Sequence, residues 1–160
     1  MKEDILEQLV EDYLNLQGYF TLTNVKYRPS KDDPKYNSRT DSVHSDIDVI
    51  GVKPGETGPK SVYAVSCKSW QQGFGAKWEY DNIKKNRVVA GRERWKTYRE
   101  LTKDKWAKAF KRKIWDLTRR RSFTYVTACT YWEDPENAKY WIGNEDFKNR
   151  LTKHIEIWTV

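Results

Sequence analysis

Cysteine, histidine and methionine are scarce in this chain: 160 residues hold two Cys, two His and one Met. So few thiolate and imidazole donors exclude a structural zinc site and a disulfide framework. Cys67 and Cys129 both fall inside apolar, strand-like runs, where a free thiol behaves as a small buried hydrophobe. Long apolar runs are missing too, so no stretch reads as a membrane span and the expectation is a soluble protein with no membrane partner. The start, Met1-Lys2-Glu3-Asp4, lacks the apolar region of an export signal, and the expected location is cytoplasmic. No linker rich in Ser or Gly and no internal repeat divides the sequence, which predicts one domain over 1–160. A phosphate-cradling glycine loop and a serine-hydrolase elbow are also absent; Gly73-Phe74-Gly75 is too short to be either.

What the sequence does have is charge, unevenly placed. Residues 77 to 121 carry 17 Lys+Arg against 6 Asp+Glu, a net of +11, so the remainder of a chain with net charge +7 carries −4. A concentrated basic segment favours a polyanionic partner, because bound phosphates release counterions, although a solvated Lys-rich helix face has the same composition.

Hydrophobic periodicity orders the elements. Ile5, Leu6, Leu9, Val10, Tyr13 and Leu14 recur at helical spacing and Gly18 follows, which predicts a helix over 3–17. Strand formers follow at 19–25, then a polar loop at 28–42. The alternating stretches 46–52 and 61–68 read as a β-hairpin about a connection containing Pro and Gly. Residues 71–76 read as loop and 77–89 as a helix. Trp95, Tyr98, Thr102, Trp106, Ala109, Phe110 and Leu117 define one face of a long helix, with Lys113 out of place on it and Lys105 at its border. Residues 123–130 read as a strand, 144–151 as a short helix and 155–160 as a final strand.

A hairpin symmetric about the middle of 53–60 places Asp48 opposite Ser66 and Asp46 opposite Lys68, all on one face of the sheet. Charges inside such apolar strands are costly unless they pair with each other or bind a metal. An Asp–Lys ion pair at the strand ends is one explanation. Phosphodiester hydrolysis is the other, with carboxylates holding Mg²⁺ and a Lys ammonium stabilising developing charge.

The residues that carry this second reading resemble the PD-(D/E)xK nuclease family. Leu6-Glu7-Gln8, running on to Gln17-Gly18-Tyr19, looks like its first helix, Ser45-Asp46-Ile47-Asp48-Val49-Ile50 like its metal-binding strand, and Val65-Ser66-Cys67-Lys68 like its catalytic strand. The resemblance covers residues 3 to 70 and, more loosely, the next helix and strand. It implies an α/β, restriction-endonuclease-like fold with a central mixed β-sheet flanked by helices. It also implies Asp48 as principal metal ligand, the Cys67 carbonyl as another, Lys68 as catalytic cation and Glu7 as supporting acid. The cofactor implied is Mg²⁺, with Mn²⁺ as a substitute, and the substrate DNA.

Ser66 departs from the pattern, because a neutral hydroxyl stands where the family has an acid or amide. Glu79, Asp81 and Asp46 are candidates to replace it; otherwise the chain binds nucleic acid without cutting it. Lys105, Lys108, Lys111, Arg112 and Arg119, with Trp115 among them, are the candidate nucleic-acid contacts on the basic helix. Trp70 is expected beneath the site and His44 beside Asp46. A third reading is an interaction protein whose eight tryptophans form a partner or homodimer surface.

Overall fold

The computed structural model describes residues 3–70 and 72–160, with side chains from residue 5 onward. Helix α1 (Glu3–Leu16) leads into β1 (Phe20–Tyr27), a one-turn helix α2 (Ser38–Asp41), β2 (Ser45–Val52) and β3 (Val62–Lys68). Next come α3 (Ala76–Lys84), a two-residue ribbon of β4 (Val88–Val89) and β5 (Arg92–Glu93), α4 (Arg99–Thr102) and α5 (Asp104–Thr118). Strand β6 (Thr124–Cys129), α6 (Glu145–Arg150) and β7 (Ile155–Thr159) complete the chain. The five long strands form one mixed sheet in the order β1-β2-β3-β6-β7, antiparallel from β1 to β3 and parallel from β3 to β7. This is an α/β architecture, a mixed five-stranded sheet flanked by helices.

Each face of the sheet has its own hydrophobic cluster. On one, Leu6, Val10 and Leu14 of α1 pack on Val49, Tyr63, Val65 and Cys67. Burying such a side chain is worth about 1.5–3 kcal/mol, enough to fix the helix on the sheet. Gly51 allows the close approach, since a Cβ there would lie 3.1 Å from the Leu14 Cδ1. On the other face Ile50, Val62, Ala64 and Tyr125 meet Tyr98, Leu101, Trp106, Phe110 and Ile114 from α4, α5 and the turn before them. Both cysteines are free and buried, as their apolar context predicts. Among the described residues no helix is long and apolar enough to cross a membrane.

Two elements differ from expectation. The long basic helix is broken: Lys103 is extended (φ −126°, ψ 129°) between α4 and α5. The Thr102 hydroxyl bonds back to the Tyr98 carbonyl at 2.9 Å, a local bond that competes with helix continuation. The break resets the phase, so Trp106, Ala107, Phe110 and Ile114 form the buried stripe and Leu117 faces solvent. Helix α3 stops at Lys84, short of the expected end at 89, because Asn86 takes a left-handed conformation (φ 52°) and the chain turns into the β4–β5 ribbon. The loop expected at 71–76 is present over 72–75; Gln71 lies outside the described residues, as do Met1 and Lys2.

Topology gathers one end of the molecule. β2 starts where β3 ends, because the two are antiparallel. β1 ends beside the start of β2, and α1, which runs back along the sheet, has its first turns there as well. The N-terminal half of α5 lies at this end, and its C-terminal end reaches the opposite one, where Arg120 bonds the Glu56 carbonyl.

Candidate active site

The β2–β3 register pairs Val49 with Val65, Ile50 with Ala64, Gly51 with Tyr63 and Val52 with Val62, the alignment inferred from hairpin symmetry. The ladder stops at Val49–Val65, so the expected pairs Asp48–Ser66 and Asp46–Lys68 do not form, and beyond it the strands part. The Asp48 carboxylate enters the gap, where its Oδ2 accepts the Cys67 backbone N–H at 2.7 Å. Strand geometry turns the Cys67 carbonyl to the same side as its N–H, so a carboxylate and a main-chain oxygen share this opening.

A kink aims Asp48 there. β1 and β2 pair from Phe20–Val52 to Thr23–Val49 and again from Val25–Ile47 to Tyr27–Ser45, skipping Asn24 and Asp48. Asn24 is left-handed (φ 51°), a conformation that asparagine tolerates better than most residues. Residues two apart on a regular strand share a face, yet Ile47 packs with the α4–α5 cluster and Val49 with the α1 cluster. The strand changes face at Asp48.

Lys68 follows Cys67 and projects to the α4–α5 side. Its ammonium lies 3.5 Å from the Thr97 carbonyl oxygen and 5.2 Å from the centre of the Tyr98 ring. Ser66, two residues earlier on the same face, lies close to the Tyr125 hydroxyl. Tyr125 in turn donates to the buried Glu100 carboxylate at 2.5 Å, and Tyr27 donates to the other oxygen at 2.9 Å. Burial first, and Glu100 second, push both tyrosines well above the usual phenol range, so they remain donors. Glu100 was not among the sequence candidates. It stands beside Arg99 and off the apolar stripe read from the sequence, so periodicity gave no signal for it.

The three candidate replacement acids have other engagements. Asp46 pairs with Lys26 across β1 at 3.2 Å, directed away from β3. Asp81 pairs with Lys77 on the surface of α3 at 2.9 Å. Glu79 is buried and gripped by Arg94, Nη2 to Oε1 at 2.6 Å and Nε to Oε2 at 3.0 Å. Burial opposes the Arg94 charge, but Glu79 more than compensates and raises its pKa. The guanidinium stacks 4.7 Å from the Trp70 ring centre and 5.3 Å from that of Trp78, and the Tyr98 hydroxyl lies next to Glu79 without aligning to bond it. Trp70, Trp78, Glu79 and Arg94 wall a cleft of about 1030 Å³ adjoining the end of β3. Glu7 lies half-buried in the first half of α1, between Leu6 and Val10, and is engaged there.

The basic positions divide. Lys105, Lys108, Ala109, Arg112, Lys113 and Asp116 recur at helical spacing along one side of α5 and wall a groove of about 520 Å³. Its other wall is Lys26, Arg28 and the 30–34 loop, with His44 on the rim. Lys105 is committed to the buried Asp41 at 2.6 Å. Lys111 lies outside the groove, bonded to the Arg150 carbonyl at 2.9 Å. Trp115 is at the far end of α5, where Arg119 and Arg121 stack on it at 5.6 and 4.5 Å.

Among the described residues no three His, Cys, Asp or Glu side chains gather as a metal-binding group. The gap at Asp48 supplies one carboxylate and one carbonyl, hard oxygen donors of the kind Mg²⁺ takes while keeping most of its water. That donor set fits Mg²⁺ bound jointly with a phosphate and does not fit zinc. No protein-family model, curated protein or solved structure matches the chain.

Proposed function

We propose that this chain is a Mg²⁺-dependent endonuclease of restriction-endonuclease-like fold that hydrolyses phosphodiester bonds in DNA. The observation that carries the reading is the gap beyond the Val49–Val65 pair, where the Asp48 carboxylate and the Cys67 main chain meet one residue from Lys68. Asp48 and the Cys67 carbonyl would hold the ion, which supplies Lewis acidity and a more acidic bound water. Lys68, backed by the Tyr98 ring, offsets negative charge developing on the attacked phosphate. Glu7 reaches this end from α1 as a supporting acid.

Purified protein incubated with plasmid and Mg²⁺ or Mn²⁺ tests the reading. Cleavage should require Asp48 and Lys68; if Asp48→Ala and Lys68→Ala cut as well as the parent, the assignment is wrong.

The absence of a three-acid group among the described residues, with Ser66 turned toward Tyr125, favours a second reading: a nucleic-acid-binding relative that does not cut. It predicts binding that weakens with salt and no cleavage with either metal. A tryptophan-lined partner or homodimer surface has less support, since Trp95, Trp106 and Trp141 are core residues and, among the described residues, Trp78 alone of the tryptophans is exposed.

A further inference from the structure

We infer that the groove between the N-terminal two-thirds of α5 and the Lys26–Pro34 segment is the track for the phosphodiester backbone of duplex DNA. The Arg119–Arg121 cluster at the far end of the helix is not part of it. The inference rests on the nucleic-acid reading above and specifies where the polyanion lies.

Three observations favour the groove. Its cations come from both walls, Lys26 and Arg28 on one side and Lys105, Lys108, Arg112 and Lys113 on the other, against Asp32, Asp33 and Asp116. Some are spent internally: Lys26 on Asp46, Lys105 on Asp41 and Arg112 on Asp116. Arg28, Lys108 and Lys113 have no carboxylate partner among the described residues, and they span the groove.

Position is the second. Lys26 faces Asp46, two residues before Asp48, so the groove opens at the end of the sheet that bears Asp48 and Lys68. Arg119 and Arg121 lie at the other end, where their neighbour Arg120 is tied to the 53–61 connection. From Lys105 to Lys113 the helix rises about 12 Å, or roughly three to four base-pair steps of duplex.

The third is what the groove lacks. Single strands are held by aromatic platforms for unstacked bases. Among the groove's described lining residues the one Phe, Tyr or Trp, Tyr27, is buried with its hydroxyl committed to Glu100, and the exposed His44 stands alone on the rim. A surface with charge and no stacking platform suits a backbone whose bases are already paired.

The test is fluorescence anisotropy with a labelled duplex of about 20 base pairs in EDTA, where cleavage cannot interfere, over a range of salt. Arg28→Glu with Lys108→Glu, one from each wall, should weaken binding at least tenfold and lower the salt slope by about 2. Arg119→Glu with Arg121→Glu should stay within twofold of the parent. Both pairs are surface changes, and circular dichroism with thermal melting checks folding; Arg28→Ala with Lys108→Ala stands in if charge reversal unfolds the protein. Equal or greater loss from the far-end pair, unchanged binding by the groove pair, or tighter binding of a single strand overturns the inference. Groove-dependent binding without cleavage in Mg²⁺ leaves the track standing and removes the nuclease reading. Cleavage dependent on Asp48 and indifferent to the groove pair does the reverse.

Discussion

Asp48 Oδ2 and the Cys67 amide nitrogen lie 2.7 Å apart across the point where β2 and β3 separate. The carboxylate takes the place of a backbone acceptor and leaves negative charge beside a main-chain carbonyl. Metal binding there should be visible without any catalysis. At ten times the dissociation constant, a ligand specific for the native state stabilises it by about 1.4 kcal/mol, roughly a 4 °C rise in Tm for a domain of this size. Thermal melts with and without Mg²⁺ should show that rise in the parent and not in Asp48→Asn; an equal rise in both rejects Asp48 as ligand.

The Glu79–Arg94 pair predicts a different signature. Glu79 is buried and holds the guanidinium by both Nε and Nη2. Glu79→Gln strands that charge against Trp70 and Trp78 and should cost about 3 kcal/mol in urea denaturation, with no metal present. Adding Arg94→Met should recover part of the loss, because the two changes are coupled. Simple additivity would show that the pair is not a unit.

Much of this end of the molecule was legible in the sequence. The alternation over 46–52 and 61–68 marked both strands and the register from Val49–Val65 to Val52–Val62, but the expected Asp48–Ser66 and Asp46–Lys68 pairs lie beyond the point where the ladder ends. The packing order of α1 followed from Leu6, Val10 and Leu14. What periodicity could not reveal is the irregularity where the β1–β2 pairing skips Asn24 and Asp48, on either side of which Ile47 and Val49 join opposite faces. It also missed the break at Lys103, since a helical phase counted through Trp95 and Leu117 assumes an unbroken helix. Nor could helical spacing alone bring Lys26 and Arg28 next to Lys108, because that contact depends on how α5 crosses β1.

Acid sensitivity should trace to Asp41. Burial works to raise its pKa, but the Lys105 ammonium, the Asn37 amide and the Thr40 hydroxyl together hold it below the usual carboxylate value. A group whose folded pKa is lowered contributes stability in full above its unfolded pKa and loses it as pH falls through the folded one. Urea midpoints measured from about pH 7 to pH 3 should therefore fall on the acid side. Lys105→Met should lower the midpoint at neutral pH and flatten the acid-side fall, because less of the Asp41 depression remains to be lost; an unchanged profile would show that the ion pair does not set it.

Gly73 should resist substitution. Its φ is +80°, and a Cβ would lie 2.7 Å from the Tyr131 Cδ1 and 2.9 Å from the Tyr131 carbonyl oxygen. Gly73→Ala should cost more than 2 kcal/mol, about 1–2 of it from backbone conformation alone. Gly55→Ala, at φ +81° with open space around it, isolates the backbone part. Chemical denaturation of the two variants side by side measures the difference, and equal losses would contradict the close approach to Tyr131.

The division of labour at Cys67 changes how a mutational scan of this protein should be read. Its thiol is sealed between α1 and the sheet, while its amide faces the aspartate in the opening. Replacing the side chain with alanine or valine tests only how well the helix seats. The peptide group survives every such change, so a tolerant position 67 says nothing against a role for its oxygen; the informative substitutions are those of its neighbours.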